Sequence, residues 1–217
     1  MGASIEGAGT HRIRVRGVRT LRGVRHDVIP DRIEAATFLM AGAATGGEIL
    51  ARGAVADHLD AVLDGLRAAA VNIIEEPNGL RVRPDGRPGP VDVTTMPYPG
   101  FPTDVQAQMT AVLAVADCES TVTDKVFPDR FMHTDELNRM GAKIAREGAS
   151  IRVHGVEALE GAEVQASDLR ASAALVIAGL AARGETTIHR IYHLDRGYEK
   201  LEWKLQRLGA DIRRESD

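Results

Sequence analysis

Apolar and polar positions follow the same order in three stretches of the chain. Each stretch begins with an aspartate, at Asp31, Asp104 and Asp168, which stand 73 and 64 residues apart. Each continues with an apolar run rich in small residues, a polar turn and a short aliphatic or β-branched segment. The runs favour α-helices and the short segments favour β-strands. The pattern therefore predicts three internal repeats.

A second helical pattern follows in each repeat. In the third repeat, Leu201, Leu205 and Leu208 recur at the i, i+4, i+7 spacing of an amphipathic helix. A pair of small residues closes each second helix, and the predicted strands "GLRVR" (79–83) and "SIRVHGV" (150–156) follow in the first two repeats. Each repeat thus has a βαβαββ-like order.

The first helix of each repeat is almost uniformly apolar, most clearly in "ASAALVIAGLAA" (171–182). A helix without a polar face is expected in the interior. The predicted fold class is therefore mixed α/β (α+β) and inside-out. The helices form the buried layer of a barrel or prism, and the sheets lie outside them.

The first residues of the chain repeat a junction found further along. "MGASI" (1–5) matches "MGAKI" (140–144), which closes a second helix, and "HRIRVRGV" (11–18) matches the strand "SIRVHGV". Residues 1–18 are therefore expected to be the tail of a truncated N-terminal domain, poorly anchored or pairing opportunistically. The predicted divisions are 1–18, a linker or strand at 19–30, and a C-terminal domain at 31–217 with repeats at about 31–93, 94–165 and 166–217.

Composition limits the classes of partner. With 217 residues, 44% hydrophobic content and a net charge of −4, the chain has material for a core and no general attraction for nucleic acid or anionic membranes. Cys118 is the single cysteine, which excludes an intramolecular disulfide. The longest apolar run is too short for a membrane span, and no signal-peptide pattern is present. We expect a soluble, cytoplasmic protein.

Histidine and glycine spacing gives no further chemistry. The seven histidines form no pair at metal-ligand spacing with cysteine or carboxylate, and there is no phosphate-binding P-loop motif. We therefore expect no metal and no cofactor.

Four long motifs carry a resemblance to a known family: "YPGFPTDVQAQ", "VFPDRFMHTDELNRMGA", "SDLRASAALVIAGL" and "RIYHLDRGYEKLEWKLQRLGADI". Over essentially its whole length the chain resembles the C-terminal half of the UDP-N-acetylglucosamine enolpyruvyltransferases. The resemblance implies two pseudo-symmetric domains of three repeats with the substrates in the cleft between them. It also implies transfer of the enolpyruvyl group from phosphoenolpyruvate to the 3-hydroxyl of UDP-N-acetylglucosamine, the first committed step of peptidoglycan synthesis.

The resemblance assigns roles to individual residues. Asp104 would contact the sugar hydroxyl as general base, although its position alone is equally typical of a helix cap. Arg170 and Arg196 would line the phosphoenolpyruvate and phosphate region, and Arg130 would be a further cleft arginine. By composition alone, each of these arginines would be read as an ordinary surface or ion-pairing residue.

Three further positions complete the expected site. Asp168 would lie beside the transferred group, or would only cap its helix, and the backbone of Val126 would hold the nucleotide sugar, unless it is an ordinary strand valine. The family's usual Glu-Asn is replaced by Pro128-Asp129, which puts the fine contacts of this loop in question. Cys118 does not match the family's reactive cysteine and is interpreted as incidental.

Two alternatives stay open at this point. The chain could belong to the related enolpyruvylshikimate-phosphate synthases, or it could be a non-catalytic half that binds a nucleotide sugar or acts as a scaffold. Because the expected N-terminal partner domain carries the acidic cysteine and several cations, we expect little or no transferase activity from this chain alone.

Overall fold

The computed structural model describes residues 1–215. The helices in this part of the chain are α1 (Arg32–Thr45), α2 (Asp60–Ala68), α3 (Gln106–Ala114), α4 (His133–Arg139), α5 (Leu169–Ala181) and α6 (Leu201–Arg207). The strands are β1 (Ser4–Glu6), β2 (Arg14–Arg16), β3 (Ile49–Arg52), β4 (Ile73–Glu76), β5 (Gly79–Val82), β6 (Val93–Thr95), β7 (Glu119–Asp124), β8 (Lys143–Glu147), β9 (Ser150–His154), β10 (Leu159–Glu160), β11 (Glu163–Gln165), β12 (Ala182–Arg183) and β13 (Thr187–His189). Short 3-10 turns occur at Ala56–His58, Thr103–Val105 and Ile191–Arg196.

The strands form small sheets that follow the repeats. The first repeat contributes the antiparallel sheet β3-β5-β4, and the second contributes β6-β7-β9-β8, in which β6 and β7 are parallel. The parallel pairs β10-β12 and β11-β13 join the last strands of the second repeat to strands of the third. On β9, Ile151 and Val153 are fully buried whereas Arg152 and His154 are exposed. One face of this sheet therefore meets the core and the other meets water.

Three helices, the first of each repeat, form the interior. Every residue of α3 is buried, and residues 171–178 of α5 are buried as well. Helix α3 packs against α5, and α1 packs against both. Since these helices are mostly apolar, removing them from water gives a large hydrophobic stabilisation. The prediction of buried helices and outer sheets is confirmed.

The helix starts distinguish the three repeat aspartates. The carboxylate of Asp31 accepts the backbone N–H groups of residues 33 and 34, and that of Asp168 accepts those of residues 170 and 171. Both are therefore N-caps of the standard kind. Asp104 lies inside a 3-10 turn that leads into α3, and its side chain caps neither element.

The ends of the described chain differ from the complete repeats. Strands β1 and β2 pair only with each other, and Ile5, Ile13 and Val15 on this hairpin are more than half exposed. Residues 19–30 contain no assigned helix or strand. The third predicted repeat extends to 217, so its last two residues lie outside the described part. Within residues 1–215, no helix combines the length and apolarity needed to cross a membrane.

Candidate functional site

A cleft of about 590 Å³ opens where the second and third repeats meet. It brings the 3-10 turn before α3, the loop between β7 and α4, and the start of α5 to one place. Its lining residues are Asp104, Phe127, Pro128, Asp129, Arg130, Met132 and Asp168. Three of the residues expected from the sequence, Asp104, Arg130 and Asp168, thus share one cavity.

Asp104 is held by two guanidinium groups. Nε of Arg170 donates to Oδ1 of Asp104 at 3.2 Å, and Nη1 of Arg130 lies 3.5 Å from the same oxygen. The arginine side chains are only 15% and 23% exposed, whereas Asp104 is 42% exposed. A carboxylate that is both paired with cations and open to the cleft is suited to meeting a ligand hydroxyl.

Each of the two arginines also lies over an aromatic ring. Cζ of Arg130 is 5.7 Å from the ring centroid of Phe127, and Cζ of Arg170 is 5.9 Å from that of Tyr198. Cation–π contacts of this kind restrict the plane of a guanidinium group and leave its edges available for oxyanions. The two cations are therefore ordered beside Asp104 before any ligand binds, with Arg130 lining the cleft itself.

Asp168 acts as a helix cap and also lines the cleft. Its Oδ1 accepts the N–H groups of Arg170 at 2.6 Å and Ala171 at 2.9 Å. These N–H groups would otherwise be the anion-binding groups of the α5 N-terminus. At α5 the carboxylate of Asp168 already takes that place, so anion binding depends more on the arginine side chains.

A buried carboxylate, Asp124 at the end of β7, organises the loop that carries Val126. It accepts hydrogen bonds from Thr95 (2.6 Å), Thr103 (2.7 Å) and the backbone N–H groups of Val126 (2.9 Å) and Phe127 (2.7 Å). Burial by itself would raise the pKa of Asp124, but these four hydrogen bonds outweigh it and lower the pKa below its usual value. The N–H of Val126 is thus already bonded, and Val126 itself is not among the residues that line the cleft.

Sequence reasoning missed Asp124, although a signal was present. In β7 the inward-facing positions are Ser120, Val122 and Asp124. A charged residue at an inward position of a period-2 strand needs buried partners, and such residues often support a site.

The loop with the unusual Pro128-Asp129 pair closes into a turn. The N–H of Arg130 donates to the carbonyl of Phe127 at 3.0 Å, and Asp129 pairs with Nη2 of Arg146 at 2.7 Å. Asp129 is almost fully exposed. The proline is accommodated because the turn does not require a hydrogen bond from its nitrogen.

Two residues considered in the sequence analysis, Arg196 and Cys118, lie apart from the group formed by Asp104, Arg130 and Arg170. Arg196 ends the 3-10 turn Ile191–Arg196, and its exposed side chain makes no hydrogen bond or ion pair with any described residue. The structure does not bring it into contact with Asp104 or Arg170. Cys118 is exposed at the far end of β7 and lies outside the cleft lining.

His133, at the start of α4, was not predicted as a site residue. It is 2% exposed, and its Nε2 atom has no hydrogen-bond partner among residues 1–215. Burial lowers the pKa of His133 to about 4, with Asp168 opposing and Arg130 reinforcing the shift. The imidazole is therefore neutral at physiological pH and adds no charge to the cleft. No group of three or more metal-ligating side chains occurs in the described part of the chain.

Comparison with known sequences identifies strong similarities. A family model described as EPSP synthase (3-phosphoshikimate 1-carboxyvinyltransferase) matches residues 1–217. The UDP-N-acetylglucosamine 1-carboxyvinyltransferase of Anaeromyxobacter sp. (strain Fw109-5) is 59% identical over 215 residues, covering 99% of this chain and 51% of the relative. UDP-N-acetylglucosamine 1-carboxyvinyltransferase 2 of Carboxydothermus hydrogenoformans is 55% identical over 219 residues, covering 100% and 52%. The chain spans about half the length of the curated relatives it matches.

Comparison with solved structures agrees with the sequences. The enolpyruvyl transferase NikO from Streptomyces tendae superposes with a TM-score of 0.84 at 32% identity, over 98% of this chain and 51% of that one. An EPSP synthase from Acinetobacter baumannii gives a TM-score of 0.56 at 20% identity, over 73% and 38%, which supports the fold alone. The resemblance inferred from the four sequence motifs is confirmed.

Proposed function

Since the chain belongs to the EPSP synthase family of enolpyruvyl transferases, we propose that it forms one half of a UDP-N-acetylglucosamine 1-carboxyvinyltransferase. The observation that carries the proposal is the carboxylate of Asp104, which lies between Arg170 and Arg130 on the cleft wall. The proposed substrates are UDP-N-acetylglucosamine and phosphoenolpyruvate, and the proposed partner is the half of the relatives' length that this chain does not span. The proposed setting is the cytoplasm, where the product would enter peptidoglycan synthesis and so serve cell shape and division.

The reaction proposed for this half begins with a proton transfer to Asp104. Asp104 takes the proton of the sugar 3-hydroxyl as the hydroxyl oxygen bonds to C2 of phosphoenolpyruvate, and an acid on the partner half protonates C3. In the second step C3 loses a proton and the C2–O bond to phosphate breaks. The products are the enolpyruvyl ether and inorganic phosphate.

The arginines stabilise the anionic groups in both steps. Arg170 has its Nε bonded to Asp104, so its Nη edge is left to bind carboxylate or phosphate oxygens as a fork. Arg130 adds a second positive charge next to the same oxygen of Asp104. Arg196, exposed in this chain, is proposed to join the phosphate region only when substrate and the partner half close over it. The carbonyl of Val126 and the Asp168 side chain are proposed contacts of the nucleotide sugar and the transferred group.

The acceptor distinguishes this proposal from its closest alternative. The relatives at 55–59% identity carry the nucleotide-sugar name, whereas the EPSP synthase structure shares only 20% identity. Shikimate 3-phosphate is therefore the less supported acceptor.

The test pairs this chain with the N-terminal half of the Anaeromyxobacter sp. (strain Fw109-5) relative by co-expression. Phosphate release from phosphoenolpyruvate is measured with UDP-N-acetylglucosamine and, separately, with shikimate 3-phosphate. We expect release only with the nucleotide sugar, and none from this chain alone. Binding of the nucleotide sugar without any phosphate release from the pair would instead support a non-catalytic half.

The base assignment is tested with two matched aspartates. Asp104→Asn should lower turnover of the pair by about 100-fold to 10,000-fold, the usual contribution of a general base. Asp31→Asn, at the equivalent repeat position but outside the cleft, keeps its cap and should stay within about twofold. Near-normal turnover of the Asp104→Asn pair would exclude Asp104 as the base.

A further inference from the structure

Three buried polar side chains connect the helices directly beneath Asp104 and Arg170. Thr37 lies on α1, Gln108 lies on α3, and Tyr198 lies between the last 3-10 turn and α6; they are 3%, 0% and 2% exposed. The sequence gives no reason to group them, because 71 and 90 residues separate Gln108 from the other two. Tyr198 is hydrogen-bonded to both of the others, and Nε2 of Gln108 also lies 3.3 Å from the Thr37 hydroxyl, so the three form a single network in the core.

The donors and acceptors of this network can be assigned one by one. Nε2 of Gln108 lies 3.0 Å from the backbone carbonyl of Asp104, and since a carbonyl can only accept, the amide nitrogen must face it. The hydroxyl of Thr37 donates to the carbonyl of Ile33 at 2.8 Å. The Tyr198 hydroxyl must therefore donate to Thr37 at 2.9 Å, and it accepts from Gln108 at 3.1 Å. The proton of every hydroxyl is used.

The aromatic ring of Tyr198 closes the network on the cleft side. The guanidinium of Arg170 lies over this ring and donates through Nε to Asp104. The contacts thus form a ring of four residues: Asp104 to Arg170, Arg170 to Tyr198, Tyr198 to Gln108, and Gln108 back to the carbonyl of Asp104. Among the described residues, Asp104 is the one hydrogen-bond acceptor of the Arg170 guanidinium group.

Stability alone does not explain this arrangement. Oε1 of Gln108 is buried without a hydrogen-bond partner among residues 1–215. A buried network with an unsatisfied atom is less favourable than apolar packing of the same volume. The network instead fixes the orientation of the Arg170 guanidinium and the Asp104 backbone, which a leucine or methionine in the same space would not do.

We propose that Tyr198 and Gln108 are positioning residues, which hold the Arg170 guanidinium and the Asp104 backbone in the geometry that the reaction uses. The ring of Tyr198 fixes the plane of Arg170, so that its Nη edge presents two donors to an oxyanion such as the carboxylate or phosphate of phosphoenolpyruvate. The amide of Gln108 fixes the turn from which Asp104 projects. The assignment of the ligand rests on the proposed function, whereas the ordering of Arg170 does not.

The ordering is tested on the chain itself by nitrogen-15 NMR of the Arg170 Nε–H group, identified by its loss in Arg170→Lys. Tyr198→Leu should accelerate exchange of this proton with water by about tenfold, as expected for loss of a partly desolvated cation–π contact. Tyr198→Phe keeps the ring and should change the rate by no more than about threefold. Tyr192→Leu, which removes an exposed ring at the same 5.9 Å distance from Arg190, is the matched control and should leave Arg170 unchanged.

A rate within twofold of wild type in folded Tyr198→Leu would overturn the proposal. If Tyr198→Leu does not fold, Gln108→Met takes its place: faster Nε–H exchange supports the positioning role, and an unchanged rate excludes it. In the two-part enzyme, Tyr198→Leu should raise KM for phosphoenolpyruvate, whereas Tyr198→Phe, which keeps the ring, should leave it near the wild-type value. Neither variant should change KM for the nucleotide sugar. If the two-part enzyme is inactive although Arg170 loses its order as expected, the proposed function fails and the positioning network stands.

Discussion

Asp124 lies at the base of the site, and replacing it should lower the unfolding free energy of the protein. Its carboxylate is fully buried and joins the turn that carries Asp104, through Thr103, to the loop that carries Val126. Of its four donors, two are backbone N–H groups, which are fixed in place, and two are threonine hydroxyls, which can rotate to other acceptors.

The magnitude follows from these contacts. In Asp124→Ala, two partly buried N–H groups lose their acceptor, at about 1–2 kcal/mol each, so we expect a loss of about 3 kcal/mol of unfolding free energy. Asp124→Asn keeps an oxygen for those N–H groups but loses the negative charge. Hydrogen bonds to a charged group are worth about 1 kcal/mol more than neutral ones, which predicts a loss of about 2 kcal/mol.

The difference should depend on pH in a defined direction. The folded pKa of Asp124 is lowered, so its contribution is complete above the unfolded value of about 3.9 and disappears as the pH falls through the folded value. The gap between wild type and Asp124→Asn should therefore be constant from about pH 8 to 5 and shrink below about pH 4.

Urea unfolding followed by circular dichroism, at neutral pH and near pH 3.5, measures both effects. Asp92→Asn is the matched control, because Asp92 accepts one backbone N–H in the same region and is exposed; it should cost no more than about 0.5 kcal/mol. If Asp124→Ala costs no more than Asp92→Ala, or if the Asp124→Asn gap does not change with pH, the reasoning is refuted.

Three further predictions concern the frame around the site. Acid should destabilise the wild-type protein between pH 6.5 and about 4, because His133 takes up a proton in the unfolded chain but not when it is buried in the folded protein. In urea titrations, His133→Leu should remove up to about 3 kcal/mol of this pH dependence of the unfolding free energy. An unchanged pH dependence in the variant would contradict the reasoning. Gly155→Ala would place a Cβ 2.0 Å from the carbonyl oxygen of Ala116 and should lower the unfolding free energy in urea by about 3 kcal/mol. The control Gly17→Ala, where the space around the added Cβ is open, should show no measurable change. Arg87→Ala removes the donors to three backbone carbonyls and should lower the unfolding free energy by about 2 kcal/mol. A melting temperature equal to that of the wild type would show that these three hydrogen bonds do not stabilise the protein.

The repeats could be predicted from sequence because their signals are local. The apolar run 171–182 lies almost wholly within α5, and the strand "SIRVHGV" contains β9, because helix and strand periodicities depend on neighbouring residues. The inside-out arrangement also followed from sequence, since a helix without a polar face has to be buried. The division into 1–18, 19–30 and 31–217 stays a prediction: the hairpin β1-β2 pairs only with itself.

The roles of the aspartates could not be separated in the same way. Asp31, Asp104 and Asp168 have equivalent positions in their repeats, and a helix cap is the ordinary reading of each. The structure confirms that reading for two of them and gives Asp104 two cationic partners from distant segments. Family resemblance pointed to Asp104, but the residues around it did not.

The sequence by itself determined the elements, their burial and the family, because periodicity, apolar composition and long motifs are properties of contiguous segments. Only the tertiary structure decided which polar groups meet. Arg170 reaches Asp104 across 66 residues, Tyr198 reaches Gln108 across 90, and Asp124 joins two segments of the site. Such contacts depend on how the three repeats pack. Hydrogen bonds between residues far apart in the chain produce no periodic pattern in the sequence, so they cannot be recognised from it.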